Sequence, residues 1–421
     1  MANILDLPDE VLDIIFEYLV SAELAYNLTA SLNERRRCAR STTINLRLVC
    51  RKWADWFYIH HLYDALLFPA KNAYRKSTLI QNLTERSPSL AWPKCRVLSV
   101  FHMRPPAKFY RLRTRTTKDK KEQRPKNAWD ILESLVELFA HSLNELDMIF
   151  LDFVSLPLGT IEAIGRIRNL RVLRLGIHWA IGTMFTRVAV KCGPAETRPD
   201  SPCLRSLIIA AQNLKRLDLE HLHPVVLSST IGSDLANYQL PAITQLDLGV
   251  DWECSLDGFV SLAAALKPTL KVLTLHGNSR DYGRKVKPIF EILRETLEGI
   301  SVYSEQVLTQ VLDFEFPKLR VFATQFWMGC ICELLTQKMF SYAPIEIIAL
   351  DEGAAEYRMK RSLPFDPFAN KPKLRRLILS DSSDYDYHEP PPKPIRSACK
   401  AHGIEIIKLA RNRGISEMMA L

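Results

Sequence analysis

Nowhere in these 421 residues do eighteen apolar residues run together, so no membrane span is expected. The first residues lack the basic start and apolar core of a signal peptide, and the chain is expected to stay in the cytoplasm, the nucleus or both. Its nine cysteines (38, 50, 95, 192, 203, 254, 330, 332 and 399) are odd in number and scattered. That is the pattern of reduced thiols rather than a disulfide framework. The sequons at Asn27 and Asn82 therefore carry no meaning. No nucleophile elbow, phosphate loop or HExxH is present, so neither catalysis nor a cofactor is expected.

Excess charge is missing too, outside one segment. Residues 104–126 hold ten Lys or Arg against Asp119 and Glu122, a local +8 of the chain's +9. Three readings of this segment stand side by side. It is a solvated excursion, since such polar runs rarely fold alone. It is a nuclear-import or nucleic-acid patch. Or it belongs to a protein-binding rim, where Arg111, Arg113 and Arg115 attract an acidic or phosphorylated segment. Phe109 and Tyr110 are its only stacking surfaces, which argues against a nucleic-acid platform.

What is present begins at Leu7-Pro8-Asp9-Glu10. Leu12, Ile15, Phe16 and Leu19 follow at i, i+3, i+4 and i+7, one face of a short helix. Pro8 suits a first turn that has no use for its missing N–H, and the two acids face the helix's positive end. A second stripe of the same spacing is Leu46, Val49, Cys50 and Trp53, with Arg51 and Lys52 outward. These residues resemble an F-box, whose pattern runs Leu-Pro-acid, Ile-Phe, Leu, then Val-Cys-Arg and Trp, and closes on Leu-Trp. Here the closing pair is Leu62-Tyr63, and a polar, basic insertion lengthens the connection between Leu19 and Leu46. The resemblance implies docking on a Skp-family adaptor of a cullin ubiquitin ligase, with Leu7, Pro8, Ile15, Leu19, Val49, Cys50 and Trp53 as the adaptor-binding residues.

Beyond residue 90 a pattern returns: apolar-x-x-apolar-x-apolar, at 95, 143, 170, 214, 243, 270, 297, 319, 345, 374 and 404. From 214 onward the intervals run from 22 to 30 residues. This is the mark of leucine-rich repeats, each a strand plus a helix. Helical stripes at 128–143, 256–268 and 286–298 fill the intervals, and LRSLII at 204 reads as the end of a helix. The expected fold is α/β: a leucine-rich-repeat solenoid, or horseshoe, preceded by a small all-α F-box domain. Its boundaries fall at 1–68 for the F-box, 69–94 for a linker and capping helix, and 95–421 for about eleven repeats.

Insertions at about 103–127, 178–202 and 380–394 each follow a strand and precede a helix. Grouped insertions of that kind form a binding rim in solenoids. Asp381, Asp384 and Asp386 sit in the third. With His388 and Glu389 they lack calcium-loop spacing, so no metal is expected there, and a solvated acidic loop is the simpler reading. Cys330-x-Cys332 lies in an apolar helical stretch without a second pair, which suits core packing better than zinc. The functional expectation is a non-catalytic substrate receptor of an SCF-type ligase, with a protein target that is acidic or phosphorylated. The alternative is an F-box scaffold that binds partners without turning them over.

Overall fold

The repeated motif becomes a strand at every copy. The computed structural model describes residues 8, 10–12, 14–15, 51–60, 63–69, 73–85, 92–103, 128–151, 154–177, 200–250, 255–277, 283–326, 331–351, 366, 368–381, 393–410 and 415–420. Its strands are β1 (Ala65–Pro69), β2 (Val97–Met103), β3 (Glu145–Phe150), β4 (Val172–Ile177), β5 (Arg216–Leu219) and β6 (Gln245–Gly249). They continue with β7 (Val272–His276), β8 (Gly299–Ser304), β9 (Val321–Phe326), β10 (Ile347–Asp351), β11 (Arg376–Asp381) and β12 (Glu405–Ala410). Together they form one twelve-stranded parallel sheet whose strand order is the chain order.

The chain divides into two units. One holds residues 1–103, 111–148 and 157–170, and the other holds 104–110, 149–156 and 171–421. In the first unit, β1 pairs with β2 in parallel, from Ala65↔Val97 to Pro69↔Phe101. Parallel neighbours need a crossover, and the helix Ala73–Thr84 supplies it. The sequence reading had eleven motif copies and placed this stretch in the F-box and its capping helix; the structure has twelve strands. The reason is local. Leu66 and Phe68 alternate inward and are buried, but the motif's leading apolar position falls on Tyr63, an aromatic that the helical reading had already claimed.

In the second unit, register explains the period. Leu217, Leu246, Leu273, Ile300, Phe322, Ile348 and Leu377 are successive cross-strand partners, and all have 0% exposure. Each such burial contributes about 1.5–3 kcal/mol. Consecutive helices pack on one another: Asp200–Ala210 on Ile231–Ala236, that on Asp257–Leu266, and that on Gly283–Leu293. The last two bury Phe259, Leu262 and Leu266, and Val286, Ile289, Phe290 and Leu293. LRSLII lies within Asp200–Ala210, a helix as expected.

Strands β5 to β11 each start on a shared hinge of hydrogen bonds. The N–H groups of Lys271 and Val272 both donate to Thr244 O, those of Glu298 and Gly299 to Lys271 O, and those of Arg320 and Val321 to Glu298 O. One carbonyl thus locks two residues of the next strand and fixes their register. The shortest interval, 22 residues between the copies at 297 and 319, has a physical cause. Only the 3-10 turn Glu305–Leu308, capped by Ser304 accepting from the Gln306 N–H, lies in that crossover where a longer helix would stand.

Candidate interaction surfaces

Two surfaces of different chemistry emerge. The first is the N-terminal helix. The N–H groups of Val11 and Leu12 donate to Pro8 O at 3.1 Å, so Pro8 opens the first turn. Leu12 is buried and Ile15 is half-buried, so these two residues of the sequence-derived stripe face inward, while Phe16 and Leu19 fall outside the described residues. Pro8, Val11 (39% exposed) and Ile14 (68% exposed) are open to solvent. Apolar side chains three apart and open to water are an interaction surface in waiting. The sequence reading missed Val11 and Ile14; their i, i+3 spacing beside Pro8 was the available signal.

The helix Arg51–His60 continues the second stripe by one turn. Trp53 and Phe57, at i and i+4, are buried with ring centroids 6.4 Å apart, and Trp56 meets Phe57 edge-on at 5.0 Å. Trp53, placed by sequence among the adaptor-binding residues, therefore lies in the packed side of its helix. Arg51 is exposed. Tyr63, the aromatic that ends the closing pair, stands edge-on to Tyr58 at 5.6 Å. Leu7, Leu19, Val49 and Cys50 fall outside the described residues.

The second surface is the sheet face opposite the motif leucines. Because strand residues alternate between faces, the third and fifth letters of each motif copy line this one. Down the fifth letters, register joins Arg174, Asp218, Asp247, Thr274, Ser301, Ala323, Ala349 and Ile378 in a single row, which on β12 continues at Ile407, the fourth letter of its copy. The row is charged at β4–β6, hydroxylic at β7 and β8, and apolar from β9 onward.

Its charged end is a closed network. Arg216 Nε lies 2.5 Å from Asp247 Oδ2, and its other branch reaches Asp218 at 3.4 Å. Arg174 meets Asp218 at 3.3 Å. Gln245 donates to both oxygens of Asp247, at 3.0 and 3.3 Å. Asp247 has 0% exposure. Burial, and then the Asp247 charge, pushes the Asp218 carboxyl above the usual carboxylate range, against the pull of Arg216 and Arg174. Beside Asp247 in register stands Thr274, 9% exposed, whose Oγ1 has no hydrogen-bond partner among the described residues. Nearby, His276 Nδ1 lies 3.3 Å from Glu220 Oε1.

The family comparison bears on the first surface. Residues 1–79 match the model of an F-box-like domain. No curated protein matches the chain. The F-box-like domain takes in the Pro8 helix, the helix Arg51–His60 and β1. It supports a role as an F-box adaptor in ubiquitin ligase complexes, through a Skp-type partner. That span runs past the expected boundary at 68, across the first strand of the sheet.

Arg111, Arg113, Arg115, Asp384 and Asp386 lie outside the described residues, as do Cys330, His388 and Glu389; Asp381 is described as the last residue of β11. Among the described residues, no group of three or more His, Cys, Asp or Glu is placed to hold a metal ion. No described helix is long and apolar enough to cross a membrane. The strand-face network was legible in principle. Reading the third and fifth letters down the eleven copies, rather than only the leucines along each, would have lined up Arg174, Asp218 and Asp247.

Proposed function

We propose that this chain is the non-catalytic substrate receptor of an SCF-type ubiquitin ligase, in the cytoplasm or the nucleus. The F-box-like domain at 1–79 carries this reading, supported by the exposed stripe of Pro8, Val11 and Ile14 on its first helix. In this reading Leu12 and Trp53 hold the domain together, while the open stripe docks on the Skp-family adaptor and through it on the cullin. The parallel strands act as a leucine-rich-repeat solenoid, and the face built from Arg174 to Ile407 holds a protein target. Arg111, Arg113 and Arg115, with Asp381, Asp384 and Asp386, form a rim that adds charge selectivity. The receptor performs no chemistry. Its contribution is proximity, raising the target's effective concentration near the conjugating enzyme.

The test is a pull-down of a purified Skp adaptor by the full chain and by Val11→Asp/Ile14→Asp. Wild type should bind, and the variant should lose at least tenfold in affinity while keeping its melting curve. A wild-type chain that fails to bind removes the reading. Target half-life then separates receptor from scaffold: bound partners whose half-lives do not change when the chain is removed favour the scaffold. Reversing Arg111, Arg113 and Arg115 to Glu should weaken target capture and spare adaptor binding.

A further inference from the structure

The apolar half of the strand face is covered by a piece of the chain itself. The helix Ile415–Ala420 packs against β7, β8 and β9. Ile415 and Met418 are buried there in one cluster with Val272, Val321, Ala323, Ile347, Ala349 and Ile378, and Met419 packs partly against it. The floor is shaped for them. At Gly299, between Val272 and Val321 in register, an added Cβ would lie 3.1 Å from Met419 Sδ and 3.2 Å from Ile415 Cδ1. A side chain here would press on two of the three anchors at once.

Two properties make this occupant exchangeable. Six residues are fewer than two turns, far short of the length that holds a helix in water, so the segment is helical only because the seat orders it. Two of its three anchors are methionines, whose unbranched, polarizable chains repack over irregular apolar surfaces. The seat reads a spacing, 415, 418 and 419, that any short amphipathic helix can present.

We propose that this seat is a docking site for a short helical segment of a partner protein carrying branched aliphatic or methionine side chains at i, i+3 and i+4. The helix Ile415–Ala420 is its intramolecular occupant and leaves when the partner binds. The proposal rests on the strand face as the receptor surface and adds what that face takes and how access is controlled. The tethered helix competes at high effective concentration. A partner's apparent affinity is therefore lowered by the fraction of chains whose seat is closed.

The probe is a fluorescein-labelled peptide of residues 411–421, titrated by anisotropy into the full chain without adaptor. Ile415→Glu/Met418→Glu in the full chain should vacate the seat and bind the probe at least tenfold more tightly than wild type. A probe carrying the same two substitutions should bind neither protein. Equal affinity for both proteins, or no binding by a variant that retains its melting curve, overturns the proposal. If the variant does not fold, hydrogen exchange on the wild-type chain decides. Amides of 415–420 should exchange at least tenfold faster than those of β8; equal protection, meaning release only on global unfolding, overturns it. Adaptor binding is measured separately, so the loss of the receptor reading and the loss of the seat give different results.

Discussion

Arg216 on β5 places its Nε 2.5 Å from Oδ2 of Asp247 on β6, a carboxylate that no solvent reaches. An ion pair of this kind is poorly described by the attraction alone, because removing one partner leaves the other buried and unpaired. Arg216→Met should destabilise the chain by about 3 kcal/mol, measured by urea unfolding. Arg216→Met/Asp247→Leu should cost less than Arg216→Met by itself. A double variant worse than the single would mean that packing, not charge, dominates at this position.

Asp218 adds a pH dependence of unusual sign. Burial raises its carboxyl above the ordinary 3.8, so the folded chain holds this proton more tightly than the unfolded one. The group therefore costs stability at neutral pH, and the cost is relieved as pH falls through the raised folded value toward the ordinary one. Asp218→Asn has no such term. Relative to Asp218→Asn, wild type should gain stability on acidification from pH 7 to about 4, read from paired unfolding curves. A difference that stays flat across that range would show that Asp218 titrates normally.

Strand spacing makes a different demand at Gly249. A Cβ there would lie 2.0 Å from the backbone carbonyl oxygen of Glu220, an atom that cannot rotate away. Gly249→Ala should cost at least about 2 kcal/mol. Gly159→Ala is the contrast: its Cβ would meet only the carboxylate of Glu133, at 3.2 Å, a side-chain group held by the Thr160 hydroxyl rather than a backbone atom. Lying inside the helix Leu158–Gly165, it should be neutral or stabilising by up to about 1 kcal/mol. Thermal melts of the two variants give the comparison directly.

Thiol reactivity should report burial. Desolvation pushes the Cys203 thiol up to about 12 and the Cys399 thiol up to about 11. Cys95 is also buried, its thiol donating to Val97 O at 3.5 Å. At pH 8, iodoacetamide should leave these three unmodified in the native chain and label them in urea, because the thiolate is the nucleophile. Peptide mass spectrometry resolves the sites. Native-state labelling of Cys203 at the rate of a free thiol would contradict its burial.

Much of the sheet could be read directly from the chain. All eleven motif copies are strands, in which the fourth and sixth letters, two residues apart, share one face of an extended chain. The helix start at Pro8 and the inward stripe of Leu12 were equally local, being set by N–H accounting and a 3.6-residue period. β1 escaped because its leading position carries an aromatic, Tyr63, that fits two patterns. The exposed pair Val11 and Ile14 escaped for the reverse reason. Periodicity shows which side chains share a face; it does not show which face finds a partner.

The sequence by itself determined the spacing of the strands, the order in which they add to the sheet and the resemblance of the first residues to an F-box. Each of those depends on neighbours within a turn or a repeat. Only the tertiary structure decided the second face. Whether Arg216 meets Asp247, or Met419 comes to rest over Gly299, depends on the register of strands dozens of residues apart and on where the chain's last helix settles. A row such as Arg174 to Ile407 has no period along the chain. It exists only across it, where parallel hydrogen bonds bring one letter from every repeat into line.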